Sequence, residues 1–229
     1  MTITKLNAMF SVEKAHETQI RLSERIILKD EIPDEIRFVA GVDVAYAKDV
    51  SIAAITVLDY NSLILKESQI TVRKTRFPYI PTLLSFREIP PAVQAIRNLR
   101  LQPDVFLVDA HGYAHPHRCG FASHLGLAIK KPTIGVAKSM LIGSLEKSVE
   151  NEDIVMIRHK GEIVGAKVIT KHEQKPVYVS VGHMVSLKTS IKIVKKCTLN
   201  SRIPEPIAMA HKIATAEKRK INIPATTDN

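Results

Sequence analysis

The chain has 229 residues, 45% of them hydrophobic and 24% charged, which predicts one soluble globular domain over residues 1–220. No apolar run approaches the ~18 residues of a membrane span, so a transmembrane protein is excluded, and the mixed charges at the N-terminus indicate neither a signal peptide nor an anchor. The formal charge of +10 favours a polyanionic partner such as nucleic acid, although a lysine-rich solubilising surface would give the same excess. Cys119 and Cys197 lie far apart, which argues against a disulfide framework and predicts a reducing, cytoplasmic compartment.

The first third of the chain predicts a helix followed by an antiparallel meander. An amphipathic pattern over residues 10–30 predicts the helix, and Pro33 follows it. The turn composition Asp59-Tyr60-Asn61 joins the second and third of three β-rich runs, and the short links predict antiparallel pairing. These three runs are Phe38 to Tyr46, Ile52 to Leu58 and Leu63 to Val72.

The rest of the chain alternates between helical and strand periodicity. Pro90 and Pro91 begin a predicted helix, whose first turn tolerates proline. Short apolar strands at 105–108 and 133–137 flank a helix from Phe121 to Ile129, and this alternation predicts right-handed crossovers and parallel strands. Strands at 154–158, 163–169 and 177–181, helices at 186–195 and 207–218, and a disordered tail at 221–229 complete the prediction. This order is typical of a ribonuclease H-like α/β fold, with a mixed sheet flanked by helices, but a function must be argued from the site.

Three carboxylates stand where this topology would bring them together. Asp43 interrupts the apolar strand GVDVAY, although an aspartate on the polar face of a strand would give the same pattern. Asp109 ends a buried strand, and Glu88 lies at the start of the first crossover helix. Because the first and fourth strands should be neighbours, we expect Asp43 and Asp109 to converge. Clustered carboxylates repel one another unless a cation lies between them, and oxygen ligands select Mg²⁺ or Mn²⁺.

A lysine and a histidine-rich loop adjoin these acids. Lys138 ends the strand PTIGVAK, parallel to the strand that ends at Asp109, so its ammonium should lie beside the proposed metal and neutralise a scissile phosphate or the attacking water. The loop DAHGYAHPHRCG carries three histidines, which makes a zinc hydrolase an alternative. Its spacing and its Gly and Pro residues argue against a tetrahedral zinc site. We expect His115 to be the functional histidine and His124 to be a capping or packing residue.

Taken together, the segments GVDVAY, FPYIPTLLSFRE, PDVFLVDAHGYAHPHRCGFASHLGL, KPTIGVAKSML, VYVSVGH and PEPIAMAH resemble, in order and spacing, the blocks of the endonuclease V family. The resemblance runs from about Phe38 to His211. It implies a ribonuclease H-like fold and hydrolysis of the second phosphodiester bond 3′ to deoxyinosine, leaving 3′-hydroxyl and 5′-phosphate ends.

The resemblance also implies residue roles. Asp43 and Asp109 would be metal ligands and Glu88 a direct or water-mediated third, Lys138 would be catalytic, and His115 and His211 would support the site. Pro78, Tyr79, Ile80 and Pro81 resemble a strand-separating wedge, in which an aromatic ring replaces a stacked base. The base pocket would draw on Thr82, Leu84, Ala110, Gly112, Gly120, Phe121 and Leu141.

The chain departs from the family pattern at several of these positions. Relatives usually have glycine at the positions of Thr82 and Ala110, arginine at that of His117, and often Thr-Arg in place of Ile207-Ala208. Because the first two departures fall in the proposed pocket, we expect a pocket that admits the purine but rejects bulkier lesions and mismatched bases more strongly.

The expected partner is deoxyinosine-containing DNA or inosine-containing RNA, with no membrane and with the protein acting as a monomer. Three other functions remain alternatives. Another ribonuclease H-like nuclease would share the acids but has no reason to carry PYIP and DAHGYAHPHR. A non-enzymatic nucleic-acid-binding protein would normally have lost one of the acids, and a zinc hydrolase would retain tightly bound zinc.

Overall fold

A single nine-stranded sheet forms the centre of the computed structural model, which describes residues 11–146 and 153–222. The strands are β1 (Phe38–Ala47), β2 (Val50–Asp59), β3 (Leu65–Lys74), β4 (Val105–Val108), β5 (Thr133–Ala137), β6 (Ser144–Leu145), β7 (Ile154–His159), β8 (Glu162–Val168) and β9 (Val177–His183). Their order in the sheet is β3-β2-β1-β4-β5-β9-β8-β7-β6.

The sheet is mixed, as the alternation of periodicities predicts. β1 pairs antiparallel with β2, and β2 with β3, whereas β1 pairs parallel with β4, and β4 with β5. The remaining neighbours are antiparallel. This antiparallel meander joined to parallel strands confirms the ribonuclease H-like fold.

Five helices lie among the described residues. They are α1 (Val12–Ser23), α2 (Ser85–Arg97), α3 (Phe121–Ile129), α4 (Leu187–Lys196) and α5 (Glu205–Asn222). One face of the sheet packs with α2 and α3 residues such as Ala92 and Leu125, and the other with α4 and α5 residues such as Ile193 and Ile207. No helix of the described residues has the length and apolar character that crossing a membrane requires.

Three local predictions were wrong, and one short strand was not predicted. The first helix ends at Ser23, well before Pro33. α2 begins at Ser85, so Pro90 and Pro91 lie inside the helix instead of starting it, and Glu88 belongs to its first turn. The two-residue strand β6 was too short to produce a period, and α5 continues to Asn222, so the predicted disordered tail is helical at its first two residues. Residues 223–229 of that tail lie outside the described residues.

The orientation of β1 decides where its aspartate lies. Alternation along a strand sends Val42 and Val44 to the α2 and α3 side of the sheet, where both join the apolar cluster. Gly41, Asp43 and Ala45 therefore face α5. A Cβ on Gly41 would lie 2.0 Å from the carbonyl oxygen of Pro206, so only glycine lets the start of α5 approach β1 this closely. That approach covers Asp43, which is only 8% exposed and does not lie on a solvent-facing side of the strand.

Candidate active site

The two aspartates meet because of the register between two parallel strands. Val42 of β1 is level with Val108 of β4, so the next residues, Asp43 and Asp109, are also side by side. The backbone N–H of Asp109 donates to the carbonyl of Val42 over 3.0 Å, which extends the pairing to the aspartate itself. The convergence that the sequence predicts is therefore confirmed.

Each aspartate has a basic partner on one of its oxygens. Nζ of Lys138, the residue after β5, donates to Oδ2 of Asp109 over 2.5 Å. Nδ1 of His211, on α5, lies 2.8 Å from Oδ2 of Asp43. These partners, drawn from the described residues, leave the Oδ1 atom of each carboxylate for a further ligand.

Burying two carboxylates next to each other is electrostatically unfavourable. Burial raises the pKa of Asp43, and the nearby charge of Asp109 raises it further, whereas His211 and Lys138 oppose the shift. A bound cation would stabilise both carboxylates in their ionised form.

The donor set fits a metal ion. Ligand atoms of Asp43, Asp109 and His211 all lie within 4.8 Å of one another, and within residues 11–146 and 153–222 these three form the only such group of histidine, cysteine and acidic side chains. Two carboxylates suit a hard divalent cation. The histidine-rich loop forms no comparable group in that part of the chain, so the zinc alternative gains no support from the structure.

Glu88 stands apart from that group. Its Oε1 accepts a hydrogen bond from the hydroxyl of Tyr46 over 3.3 Å. Burial raises the pKa of Glu88 to about 7, and the charges of Asp43 and Asp109 contribute to the increase. The charges of the two aspartates therefore affect the pKa of Glu88, although Glu88 does not belong to the group of close ligand atoms that they form with His211.

Asp43 and Asp109 line a cleft of about 800 Å³, whose other wall comes from α5. His211, Thr215 and Lys218 recur at helical spacing and share one face of α5, next to Arg219. Sequence reasoning missed Thr215, Lys218, Arg219 and Tyr46 as lining residues. The spacing was a signal that could have indicated two of them. Thr215 follows His211 by four residues and Lys218 follows Thr215 by three, which places both on the face of α5 that carries His211.

The four residues that resemble a wedge form part of the loop before α2. Tyr79 is 70% exposed, so its ring is available to another molecule. The guanidinium of Arg87 lies 4.5 Å from the ring centroid of Tyr46 and 5.8 Å from that of Tyr79. Arg87 therefore bridges the wedge loop and the Tyr46–Glu88 pair. Pro78 and Ile80 are half-buried and Pro81 is exposed.

Most residues proposed for the base pocket lie near the starts of α2 and α3, whereas Leu141 lies on the loop after β5. Thr82 adopts a left-handed backbone conformation, with φ of 69°, which favours glycine and strains a β-branched residue. Gly112 and Gly120 are needed for backbone packing, because a Cβ on them would lie 2.1 Å from the Val181 carbonyl and 2.3 Å from the His111 carbonyl. Leu84 and Ala110 are half-buried, Phe121 is buried at the start of α3, and Leu141 is 46% exposed.

Among the described residues, His115 contacts His117 and the backbone of Thr82, and it makes no hydrogen bond with Asp43 or Asp109. His115 is 4% exposed, and its Nδ1 accepts from the backbone N–H of His117 over 3.3 Å. Burial and neighbouring histidines lower the pKa of His115 to about 4, whereas a hydrogen bond with the Thr82 backbone acts in the opposite direction and raises it. His124 contacts Ser85 and the Phe86 ring, which confirms a packing position. A supporting role for His115 in the active site stays a prediction.

Similarity to known proteins identifies the family of this chain. The sequence profile of the endonuclease V family matches residues 20–212. Endonuclease V of Thermofilum pendens is 42% identical over 220 residues, covering 96% of this chain and 94% of its own length. The crystal structure of endonuclease V from Streptomyces avermitilis has a TM-score of 0.86 and 36% identity, covering 93% of this chain and 95% of its own.

A further similar structure holds nucleic acid. Endonuclease V of Ciona intestinalis, in complex with a 24mer DNA containing an inosine followed by a ribo-adenosine, has a TM-score of 0.83 and 35% identity. The match covers 92% of this chain and 99% of that one. The profile, the identities and the shared fold together place this chain in the endonuclease V family.

Proposed function

We propose that the protein is a Mg²⁺-dependent endonuclease of DNA repair, with Mn²⁺ able to substitute, that cuts the second phosphodiester bond 3′ to deoxyinosine. The observation that carries this proposal is the convergence of Asp43 and Asp109 at the parallel strand ends of an endonuclease V family member. Hydrolysis joins the oxygen of water to phosphorus and breaks the bond to the 3′ oxygen. The products are a 3′-hydroxyl and a 5′-phosphate.

Asp43 and Asp109 would hold the metal through the oxygens that His211 and Lys138 leave free, with Glu88 as a direct or water-mediated third ligand. A divalent cation bound there would neutralise charge on the phosphate and lower the barrier by several kcal/mol.

The chain's own cations would act on the phosphate and on the acids. Lys138 extends from β5 to Asp109, and its side chain is 44% exposed, so its ammonium can also contact a phosphate in the cleft. His211 orients the carboxylate of Asp43. Lys218 and Arg219 on the α5 wall would bind backbone phosphates on either side of the cut.

Recognition of the base would occur in the wedge and pocket loops. The exposed ring of Tyr79 would take the place of the displaced base, and the inosine base would enter between the loop at Thr82 and the loop from Ala110 to Gly120. The similarity to the Ciona protein bound to inosine-containing DNA supports this substrate.

Cleavage of inosine-containing RNA is a second candidate. The strand bound by the Ciona protein has a ribo-adenosine after its inosine, so a ribonucleotide directly 3′ to the inosine is compatible with that related site.

A cleavage assay tests both candidates. End-labelled strands with one central inosine, as DNA, as RNA and as DNA with one ribonucleotide 3′ to the inosine, are incubated with Mg²⁺, beside matched strands with adenine. We expect one product whose length reports cleavage at the second bond 3′ to inosine, and no product in EDTA. Cleavage of RNA alone would replace the first candidate with the second, and equal cleavage of the adenine strands would overturn both.

A further inference from the structure

Helix α1 carries a fully buried amide. Gln19 has no exposed surface, although the helix around it is polar enough to face solvent on its other side. A buried glutamine is unusual, because its amide must find partners inside the protein.

The amide of Gln19 joins the two loops of the proposed base pocket. Its Nε2 donates to the carbonyl of Thr82 over 2.8 Å and to the carbonyl of Cys119 over 3.1 Å. Both hydrogens of the amide nitrogen are thereby used, and they connect segments 63 and 100 residues away in the chain. Thr82 follows the wedge directly, and Cys119 precedes Gly120, the N-cap of α3.

The first of these carbonyls belongs to a strained residue. Thr82 has a positive φ of 69°, a conformation that surrounding contacts must hold in place. His16, one turn before Gln19, adds a contact of 3.3 Å between its Nε2 and the Thr82 hydroxyl. The His16 ring packs against His117, with centroids 4.5 Å apart. Helix α1 therefore fixes both the carbonyl and the hydroxyl of Thr82.

Packing alone does not explain a glutamine at this position. Its Oε1 is buried and has no hydrogen-bond partner among the described residues, and such an unpaired acceptor destabilises the folded state. Methionine has a similar shape and would fill the space without that cost. What glutamine adds is the pair of hydrogen bonds between the loops.

We propose that Gln19 is a positioning residue for base recognition, which sets the distance between the wedge loop and the loop before α3. The inference rests on the proposed function, because it assigns these two loops to the inosine base. Gln19 itself need not touch the substrate. Its loss should loosen the pocket without changing the acids, which are held by the sheet.

The test compares Gln19→Met with Ser11→Ala. The methionine removes both loop bonds while keeping the volume. Ser11 is the N-cap of α1 and accepts from the backbone N–H of Lys14 over 3.1 Å, so its replacement weakens the helix without touching either loop. Melting temperature, KM and kcat are measured for each on an inosine-containing DNA strand, together with binding to the matched adenine strand.

We expect Gln19→Met to raise KM for the inosine strand about tenfold, with kcat within about twofold of wild type and adenine-strand binding unchanged. Ser11→Ala should lower the melting temperature and leave KM unchanged. If Gln19→Met does not fold, Gln19→Asn, whose amide is too short to reach both carbonyls, provides the same comparison.

An unchanged KM in the Gln19 variant, or an equal rise in KM in Ser11→Ala, would overturn the inference. The proposed function would stand in either case, provided that the wild-type protein cuts inosine DNA. Failure of the wild-type protein to cut inosine DNA would overturn the proposed function, and the inference with it.

Discussion

The acid cluster and the pocket loops are held in place by different kinds of structure. Asp43, Asp109 and Lys138 lie on or directly after three adjacent strands, where main-chain pairing sets their relative positions. The loops proposed for the base pocket lie outside the paired strands. A main-chain hydrogen bond from the N–H of Tyr113 to the carbonyl of Val181 attaches one of them to β9. Both loops also depend on a distant side chain, Gln19, and one contains a threonine in a left-handed conformation.

Under the proposed function, this difference would separate the chemical step from recognition of the base. A substitution of an acid leaves the sheet register in place and should affect the reaction alone. A substitution in the loops or at Gln19 can change their spacing, because the two hydrogen bonds of the Gln19 amide connect them. The two regions should therefore respond to mutation in different measurements.

The largest effect is expected at the aspartates. Asp43→Ala and Asp109→Ala each remove a carboxylate from the proposed metal site and should reduce kcat on inosine DNA by about 10³-fold or more. Binding of the inosine strand should persist, because the pocket loops are unchanged. Single-turnover cleavage and fluorescence anisotropy measure the two quantities.

Asp49→Ala is the matched control for the aspartates. Asp49 lies in the turn between β1 and β2, its side chain is 69% exposed, and it pairs with Lys74 over 3.8 Å. This variant should retain wild-type activity. Full activity in Asp43→Ala, or of the wild type in EDTA, would contradict the proposed metal site.

The raised pKa of Glu88 should make the stability of the folded protein depend on pH. Its pKa in the folded protein is raised to about 7 from an ordinary value of 4.5, so protonation stabilises the folded state. This contribution is complete below about pH 4.5 and is lost as the pH rises through about 7, with an upper limit of about 3 kcal/mol. Glu88→Gln should remove it.

The measurement is urea unfolding in EDTA from pH 5 to pH 8. The free energy of unfolding of the wild type, relative to that of Glu88→Gln, should fall as the pH rises across this range. A difference between the two proteins that does not change with pH would mean that Glu88 is not perturbed by its surroundings. A Tyr46→Phe variant shows how far the Tyr46 hydrogen bond limits the shift.

Tyr79 is the exposed aromatic residue of the proposed wedge. If its exposed ring replaces a displaced base, Tyr79→Ala should weaken binding of inosine-containing duplex by about 1–3 kcal/mol. Single-stranded substrate should lose less, since it has no partner strand to hold apart, and Tyr79→Phe should retain duplex binding. Equal losses on duplex and single strand would mean that Tyr79 does not act as a wedge.

Sequence patterns predicted the acid cluster better than the pocket. Asp43 and Asp109 follow from strand periodicity and the parallel topology, because register then determines which residues are neighbours. The bonds from Gln19 to Thr82 and Cys119 join distant segments and leave no periodic signal. The wedge and pocket residues were identified only through the family resemblance. The left-handed conformation of Thr82 could not be read from a β-branched residue, which normally avoids it.

The smallest effect is expected at the two departures from the family pattern, Thr82 and Ala110. Thr82→Gly would relieve the strain of a positive φ. It would also remove the His16 contact and give the unfolded chain more freedom. Because these effects oppose each other, the free energy of unfolding should change by no more than about 1 kcal/mol.

Thr82→Gly with Ala110→Gly removes two side chains from the proposed pocket and lets its backbone move. The ratio of kcat/KM on inosine to that on a mismatched base should then fall by a few-fold, that is by about 1 kcal/mol. Thr82→Ser keeps both the hydroxyl that contacts His16 and the Cβ, and should preserve the wild-type ratio. A ratio that is unchanged or higher in the double glycine variant would mean that both side chains point away from the base and that discrimination comes from the spacing of the loops alone.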